Sequence, residues 1–176
     1  MDVLTLLKQD HKAVGDLLDR AVKCDPEDDR LKSLAQEIEQ ALTIHAAIEE
    51  KFFYPVLRER SEESEDTVDV FEAYTEHEII KELIALLKSG RRPDEQFKAE
   101  VQVLCESVTH HVKEEESTIF SLARELLKAE ELDEIGEEMG AAKARMLAAA
   151  KRAPARKRVA ARKKTARSSR TKARKR

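Results

Sequence analysis

Four apolar stripes advance along this chain in steps of three and four residues, and each has a histidine set within it. The first runs Leu4, Leu7, His11, Val14, Leu18, and the second Leu31, Leu34, Ile38, Leu42, His45, Glu49, Phe52, Val56. The third runs Val70, Tyr74, His77, Ile80, Ile84, Leu87, and the fourth Val101, Leu104, Val108, His111, Glu115, Thr118, Leu122. That spacing places each set on one face of a helix. Four such helices with short connections predict an all-α, up-down-up-down four-helix bundle. At ~1.5 Å per residue the four histidines then fall within one or two helical turns of a common level.

Local signals punctuate the stripes. Asp2 reads as the first N-cap. Asp25-Pro26-Glu27-Asp28 reads as a second, with Asp25 capping and Pro26 at the first helical position. Pro55 removes a backbone donor and is expected to bend or loosen the helix just past Glu49. Glu59 to Asp66 reads as a turn plus the next cap; Gly90 reads as a helix stop, and Pro93-Asp94 as a helix start. A short fifth helix is expected within 129–150, patterned from Leu132. The expected organisation is a bundle over 1–128, that helix, and a tail over 151–176.

Composition agrees. The chain has no Trp and only 4 Gly and 4 Pro among 176 residues, which favours helix over sheet. No apolar run approaches a membrane span and the N-terminus has no signal-peptide pattern, so a soluble, cytoplasmic protein is expected. The two cysteines suggest no disulfide framework, and Cys105 reads as a small core residue beside Leu104 and Val108. Charge is unevenly spread. Residues 151–176 hold 14 of the 33 Lys+Arg and no Asp or Glu, which leaves 19 basic against 36 acidic residues in the first 150. The tail has one larger apolar residue, Val159, so it is expected to be disordered. Arg156, Lys157, Arg158, Arg162, Lys163 and Lys164 make it a candidate electrostatic arm for nucleic acid, bound through phosphates without base reading. A solubilising tail that contacts the acidic body is an equal alternative.

The histidines repeat with glutamates. His11 and His45 are 34 residues apart, as are His77 and His111; Glu49 and Glu115 each follow 38 residues after the first histidine of their half. His45 and Glu49, and likewise His111 and Glu115, lie one helical turn apart on one face. A lone histidine on an apolar stripe is usually a hydrogen-bonded core residue. A carboxylate on such a stripe is harder to dismiss, because burying it unpaired is costly. Imidazole with carboxylate suits iron, manganese or zinc. Six donors are too many for a closed zinc site, which takes four. Two metals fit better, each with one or two histidines, and with both glutamates bridging.

The pattern His … His-x-x-x-Glu … His … His-x-x-x-Glu resembles the hemerythrin-like HHE cation-binding domain. Asp10-His11, Glu49-Glu50 with Phe53-Tyr54-Pro55, Glu76-His77, and Glu115-Glu116 with Phe120 carry the resemblance over roughly residues 1–128. The resemblance implies a non-heme di-iron centre, oxo- or hydroxo-bridged, with His11, His45, Glu49, His77, His111 and Glu115 as ligands. Dioxygen-carrying members use five histidines, two of them one turn apart on the third helix. Here Ala73 and Lys81 flank His77 at that spacing. The remaining histidine, His110, points about 100° away from His111 and is a minor alternative ligand. Tyr54 lies five residues after Glu49, where Phe120 lies after Glu115. Pro55 could turn it inward, which makes its phenol a candidate additional ligand; packing is the alternative. Tyr74 is a weaker candidate for a supporting role.

The function expected is reaction with a small oxidant, with hydrogen peroxide decomposition or oxidative and nitrosative stress defence first. No catalytic residue beyond the ligands is assigned. The alternatives are a module that binds or senses dioxygen, nitric oxide or iron, and a DNA-associated protein acting through its tail.

Overall fold

The computed structural model of the chain describes the backbone of residues 1–87 and 92–173, with side chains up to residue 152. Among these residues every regular element is helical. They are α1 (Val3–Val22), α2 (Asp29–Ile48), α3 (Tyr54–Arg60), α4 (Ser64–Leu87), α5 (Glu95–Glu114), α6 (Phe120–Leu126) and α7 (Ala129–Ala173). Two π-helical turns, Glu49–Phe53 and Glu115–Ile119, join α2 to α3 and α5 to α6.

The ring of neighbours closes as α1 on α2, α2 on α4, α4 on α5 and α5 back on α1. This is the four-helix bundle that the apolar spacing predicts. One half is a dry core in which Leu31, Ile38, Val101 and Leu104 are fully buried and pack with Leu18, Ile84 and Phe97. Each such side chain contributes roughly 1.5–3 kcal/mol by leaving water. Cys105 packs at the edge of this cluster, partly buried.

The caps follow from the sequence, with one correction. Asp2 accepts the Thr5 amide at 3.0 Å, and Asp94 accepts that of Phe97 at 2.7 Å. The cap of α2 is Asp28, not Asp25: it accepts the Arg30 amide at 2.8 Å. The Asp25 carbonyl instead accepts the Asp28 amide at 3.1 Å, closing a turn with Pro26 at its second position, which proline's fixed φ favours. At the other end of α1, Lys98 of α5 donates to the carbonyls of Ala21 (3.0 Å) and Cys24 (2.6 Å), satisfying helix-end acceptors. Gly90, expected as a stop, lies outside the described residues.

Two compact units divide the chain, Met1–Gly140 and Ala141–Arg176. Within the first, Gly136 of α7 lies against the N-terminus of α1. A Cβ at that position would collide with the Met1 carbonyl and the Asp2 and Val3 backbone. Only glycine allows so close an approach. The second unit is the rest of α7, which runs to Ala173 and so passes the expected boundary at residue 150. The side chains of 153–176 lie outside the described residues. The backbone of the tail is helical to Ala173 where disorder is expected, and the side-chain placement of Arg156, Lys157, Arg158, Arg162, Lys163 and Lys164 lies outside the described residues.

Candidate metal centre

Each of the four bundle rods brings its histidine to the same buried level. His11 comes from α1, His45 from the last turn of α2, His77 from α4 and His111 from the last turn of α5. Glu49 and Glu115 follow one turn on, and each opens a π turn. All six side chains are buried, Glu49 completely.

The π turns decide what surrounds the carboxylates. The Tyr54 amide bonds the Glu49 carbonyl and the Phe120 amide bonds that of Glu115, a five-residue step in place of the α-helical four. Each turn therefore inserts one residue into the stripe. The expected buried positions Phe52 and Val56 become half-buried, and Phe53, Tyr54 and Leu57 take the interior. In the twin, Thr118 gives way to Ile119 and Phe120. Such a turn does not require Pro55, because the second one forms with Ser121 at the matching place.

The donor atoms converge. His11 Nε2 lies 3.0 Å from Glu115 Oε2, and His45 Nε2 lies 3.1 Å from Glu49 Oε1. His77 Nε2 lies 3.3 Å from Glu49 Oε2 and 3.1 Å from His111 Nε2. Two groups result. His11, His45, Glu49 and Glu115 each offer an atom within 4.8 Å of the others, and so do Glu49, His77 and His111. Glu49 belongs to both. Phe120 stacks on His11 at 5.9 Å and meets Phe53 edge-on, forming an apolar floor.

A ring of carboxylates holds the outer nitrogens. Glu116 lies 2.8 Å from His11 Nδ1, Glu50 2.9 Å from His77 Nδ1, and Glu76 2.8 Å from His111 Nδ1. Asp10 faces His45 Nδ1 at 3.8 Å, too long for a hydrogen bond. A carboxylate at Nδ1 fixes the tautomer that leaves Nε2 free to bind a cation. Sequence reasoning missed these roles. The signal was the repeated pairs Asp10-His11 and Glu76-His77, Glu49-Glu50 and Glu115-Glu116.

Without a cation the buried groups share their protons unevenly. Burial pushes the His11 ring down, but the adjacent Glu115 carboxylate and the charge of Glu49 outweigh it and lift the ring to about 9. Burial pulls His45 down to about 4. The glutamates split: burial and the neighbouring Glu115 charge push Glu49 well up, while His11 and His111 overcome burial and hold Glu115 down at about 2. The two carboxylates are thus driven apart, Glu115 towards the ionised form beside His11 and Glu49 towards the protonated one.

Residues 2–123 match the family described as hemerythrin HHE cation binding domain. The chain belongs to this family. A crystal structure of a hemerythrin HHE cation binding domain-containing protein from Mycobacterium kansasii has the same fold, with a TM-score of 0.74 at 22% identity over 85% of this chain and 90% of that one. A DNA nickase from Nostoc is 30% identical over 147 residues, 83% of this chain. The chain spans only 40% of that relative's length.

The residues of this HHE domain fit a bound cation. His11 Nε2, His45 Nε2, both Glu49 oxygens and Glu115 Oε2 are buried without a hydrogen-bond partner. Such atoms are rare and costly unless something pairs them. His110 lies outside the centre: its ring is exposed, with Nε2 3.2 Å from Glu76 Oε1. Tyr54 does reach the centre. It is fully buried, donates to Glu115 Oε1 at 2.9 Å and lies 3.5 Å from His77 Nε2. Burial, with Glu115 and Glu49 behind it, pushes its phenol well above the ordinary value. Tyr74 packs edge-on against Tyr54 at 5.2 Å and steadies that ring. No described helix is long and apolar enough to cross a membrane.

Proposed function

We propose that this domain holds two non-heme iron ions and reacts with small oxidants, hydrogen peroxide first among them. The observation that carries the reading is the sharing of Glu49 between two buried donor groups, each completed by a pair of histidines. His11 and His45 would hold one ion and His77 and His111 the other, with Glu49 and Glu115 as the carboxylate donors. Iron, when bound, supplies reversible electron transfer and Lewis acidity. The chain supplies the rest. Glu50, Glu76 and Glu116 keep three rings turned inward, and Phe53 and Phe120 close the floor against water. Tyr54 holds a phenolic proton on Glu115 Oε1 and stands where its oxygen can serve as a further ligand.

In the proposed reaction one peroxide is oxidised to dioxygen, giving two electrons and two protons. A second accepts them and leaves as two waters. The test is iron analysis, a visible spectrum and steady peroxide turnover on the purified protein. Two irons per chain, no haem band and sustained turnover support the enzyme. Two irons without turnover would move the reading to a module that binds dioxygen, nitric oxide or iron.

Association with DNA through residues 151–176 is a second reading. Its support is the 14 basic residues spread over 151–176 and the Nostoc relative named a DNA nickase. Retention of supercoiled plasmid in a gel, with nicking scored with and without an iron chelator, tests it. No retention at low salt would end it.

A further inference from the structure

Three cavities touch the centre, and they differ in chemistry. The largest, about 620 Å³, lies between α1 and α5 and touches only His11, on the flank where Glu116 stands. The smallest, about 40 Å³, is ringed by Asp69, Glu72, Glu76 and Glu114 and repels anions. The third, about 200 Å³, lies between α2 and α4. We propose that this third cavity is the port through which a small neutral ligand of two or three heavy atoms reaches the centre.

The port is the only one of the three that meets both donor groups, touching His45 of one and His77 and His111 of the other. Its walls are Leu42, Ala46, Ile80 and Ile84, which offer a solute no hydrogen bond. A strongly hydrated solute loses its water shell there without replacement, whereas a diatomic molecule loses little. Size acts the same way. A water molecule takes ~30 Å³ in the liquid and drug-sized ligands need at least ~300 Å³, so this space suits a few atoms. Thr43 and Lys81 stand at the mouth, both exposed. The Lys81 ammonium is tied to Glu50 at 2.8 Å and Glu78 at 2.7 Å, and Glu50 in turn holds His77. The two carboxylates offset that ammonium, so the mouth carries no net positive charge to draw an anion in, and the apolar throat decides what enters. This inference rests on the two-iron reading for its ligand, but the cavity itself does not depend on a metal.

Nitric oxide, a neutral diatomic, is the probe for the ferrous iron-loaded protein, followed by stopped-flow absorbance. Thr43→Trp covers the mouth and Ala46→Leu narrows the throat. Gly15→Leu fills the larger cavity as a control, since an added Cβ there has no atom within 4 Å. Both port variants should slow nitric oxide association about tenfold at equal iron content, with the equilibrium affinity little changed because entry and exit slow together. Gly15→Leu should leave the rate unchanged. Slowing by Gly15→Leu alone, or by none of the three, overturns the proposal. Xenon supplies a metal-free arm. Under pressure it should shift the methyl signals of Leu42, Ile80 and Ile84 in the chelator-treated protein, and not in Ala46→Leu. No shift in the unaltered protein overturns the port whatever the iron does. Failure of the unaltered chain to take up iron sinks the two-iron reading instead, and that result comes before any variant is made.

Discussion

His77 and His111 face each other through their Nε2 atoms at 3.1 Å in a buried space. Two imidazoles in that pose can satisfy each other only if one is protonated at Nε2. Their Nδ1 atoms already meet Glu50 and Glu76. A cation between the rings removes the conflict, because both lone pairs then point at it. Removing metal should therefore lower the melting temperature by about 10 °C or more, since several buried donors lose their partner at once. Calorimetry before and after chelation checks this. An unchanged melting temperature would falsify the buried-ligand reading.

Glu49 and Glu115 occupy equal places in the repeat, yet only Glu49 belongs to both donor groups. Either one replaced by Ala should drop bound iron below two per chain. Glu49→Ala should cost more, because each group loses a donor. Metal analysis of the folded variants decides, and full loading of both would exclude bridging roles.

How much of this was legible in the sequence follows from where each partner lies along the chain. The convergence of His11, His45, His77 and His111 was readable because each sits on its own helix's apolar stripe. The register beyond Glu49 and Glu115 was not, because a π turn adds a residue without changing composition. The carboxylate ring was hidden for another reason. Glu50 serves His77 and Glu116 serves His11, each on a different helix, so only the packed bundle reveals the pairing. Asp25 was misread as a cap because Asp25 and Asp28 have the same side chain, and the Pro26 turn decides between them.

The pH dependence of the metal-free protein has a definite sign between 6.5 and 9. His11, raised to about 9, contributes stability that is full below 6.5 and lost as pH rises through 9. Glu49, raised well above the ordinary value, acts in the same direction, because the unfolded chain releases its proton first. Metal-free stability should fall across this window, with His11 alone worth on the order of 3 kcal/mol. The metal-loaded protein should be nearly flat, since its ligands are already deprotonated. Urea unfolding at three pH values, with and without metal, gives the answer. A metal-free protein that strengthens towards pH 9 contradicts these charge assignments.

Deleting 151–176 removes 14 positive charges and no candidate ligand. Iron content should stay the same. Any DNA retention should vanish and, before deletion, weaken steeply with salt. Undiminished retention by residues 1–150, with 19 basic against 36 acidic residues, would rule out the arm.

Tyr54 offers the sharpest test of what replaces the missing fifth histidine. Its register partner Phe120 stacks on His11 and brings no oxygen to the centre. Tyr54 brings one, 2.9 Å from Glu115 Oε1 and 3.5 Å from His77 Nε2. Burial, together with the Glu115 and Glu49 carboxylates, favours the protonated phenol. Only a strong Lewis acid nearby could reverse this, and ferric iron is one. If the oxygen binds it, the oxidised protein should show a phenolate-to-iron absorption band in the visible. Tyr54→Phe should abolish the band and keep two irons, because the six other donors remain. It should also leave a coordination position open, so azide binding or peroxide turnover should change while the fold does not. The Phe ring fits the same space against Tyr74, so stability should fall only by the lost hydrogen bond, about 1–2 kcal/mol. A visible spectrum identical to that of the unaltered protein would leave Tyr54 as a hydrogen-bond donor to Glu115, and the open position would pass to solvent.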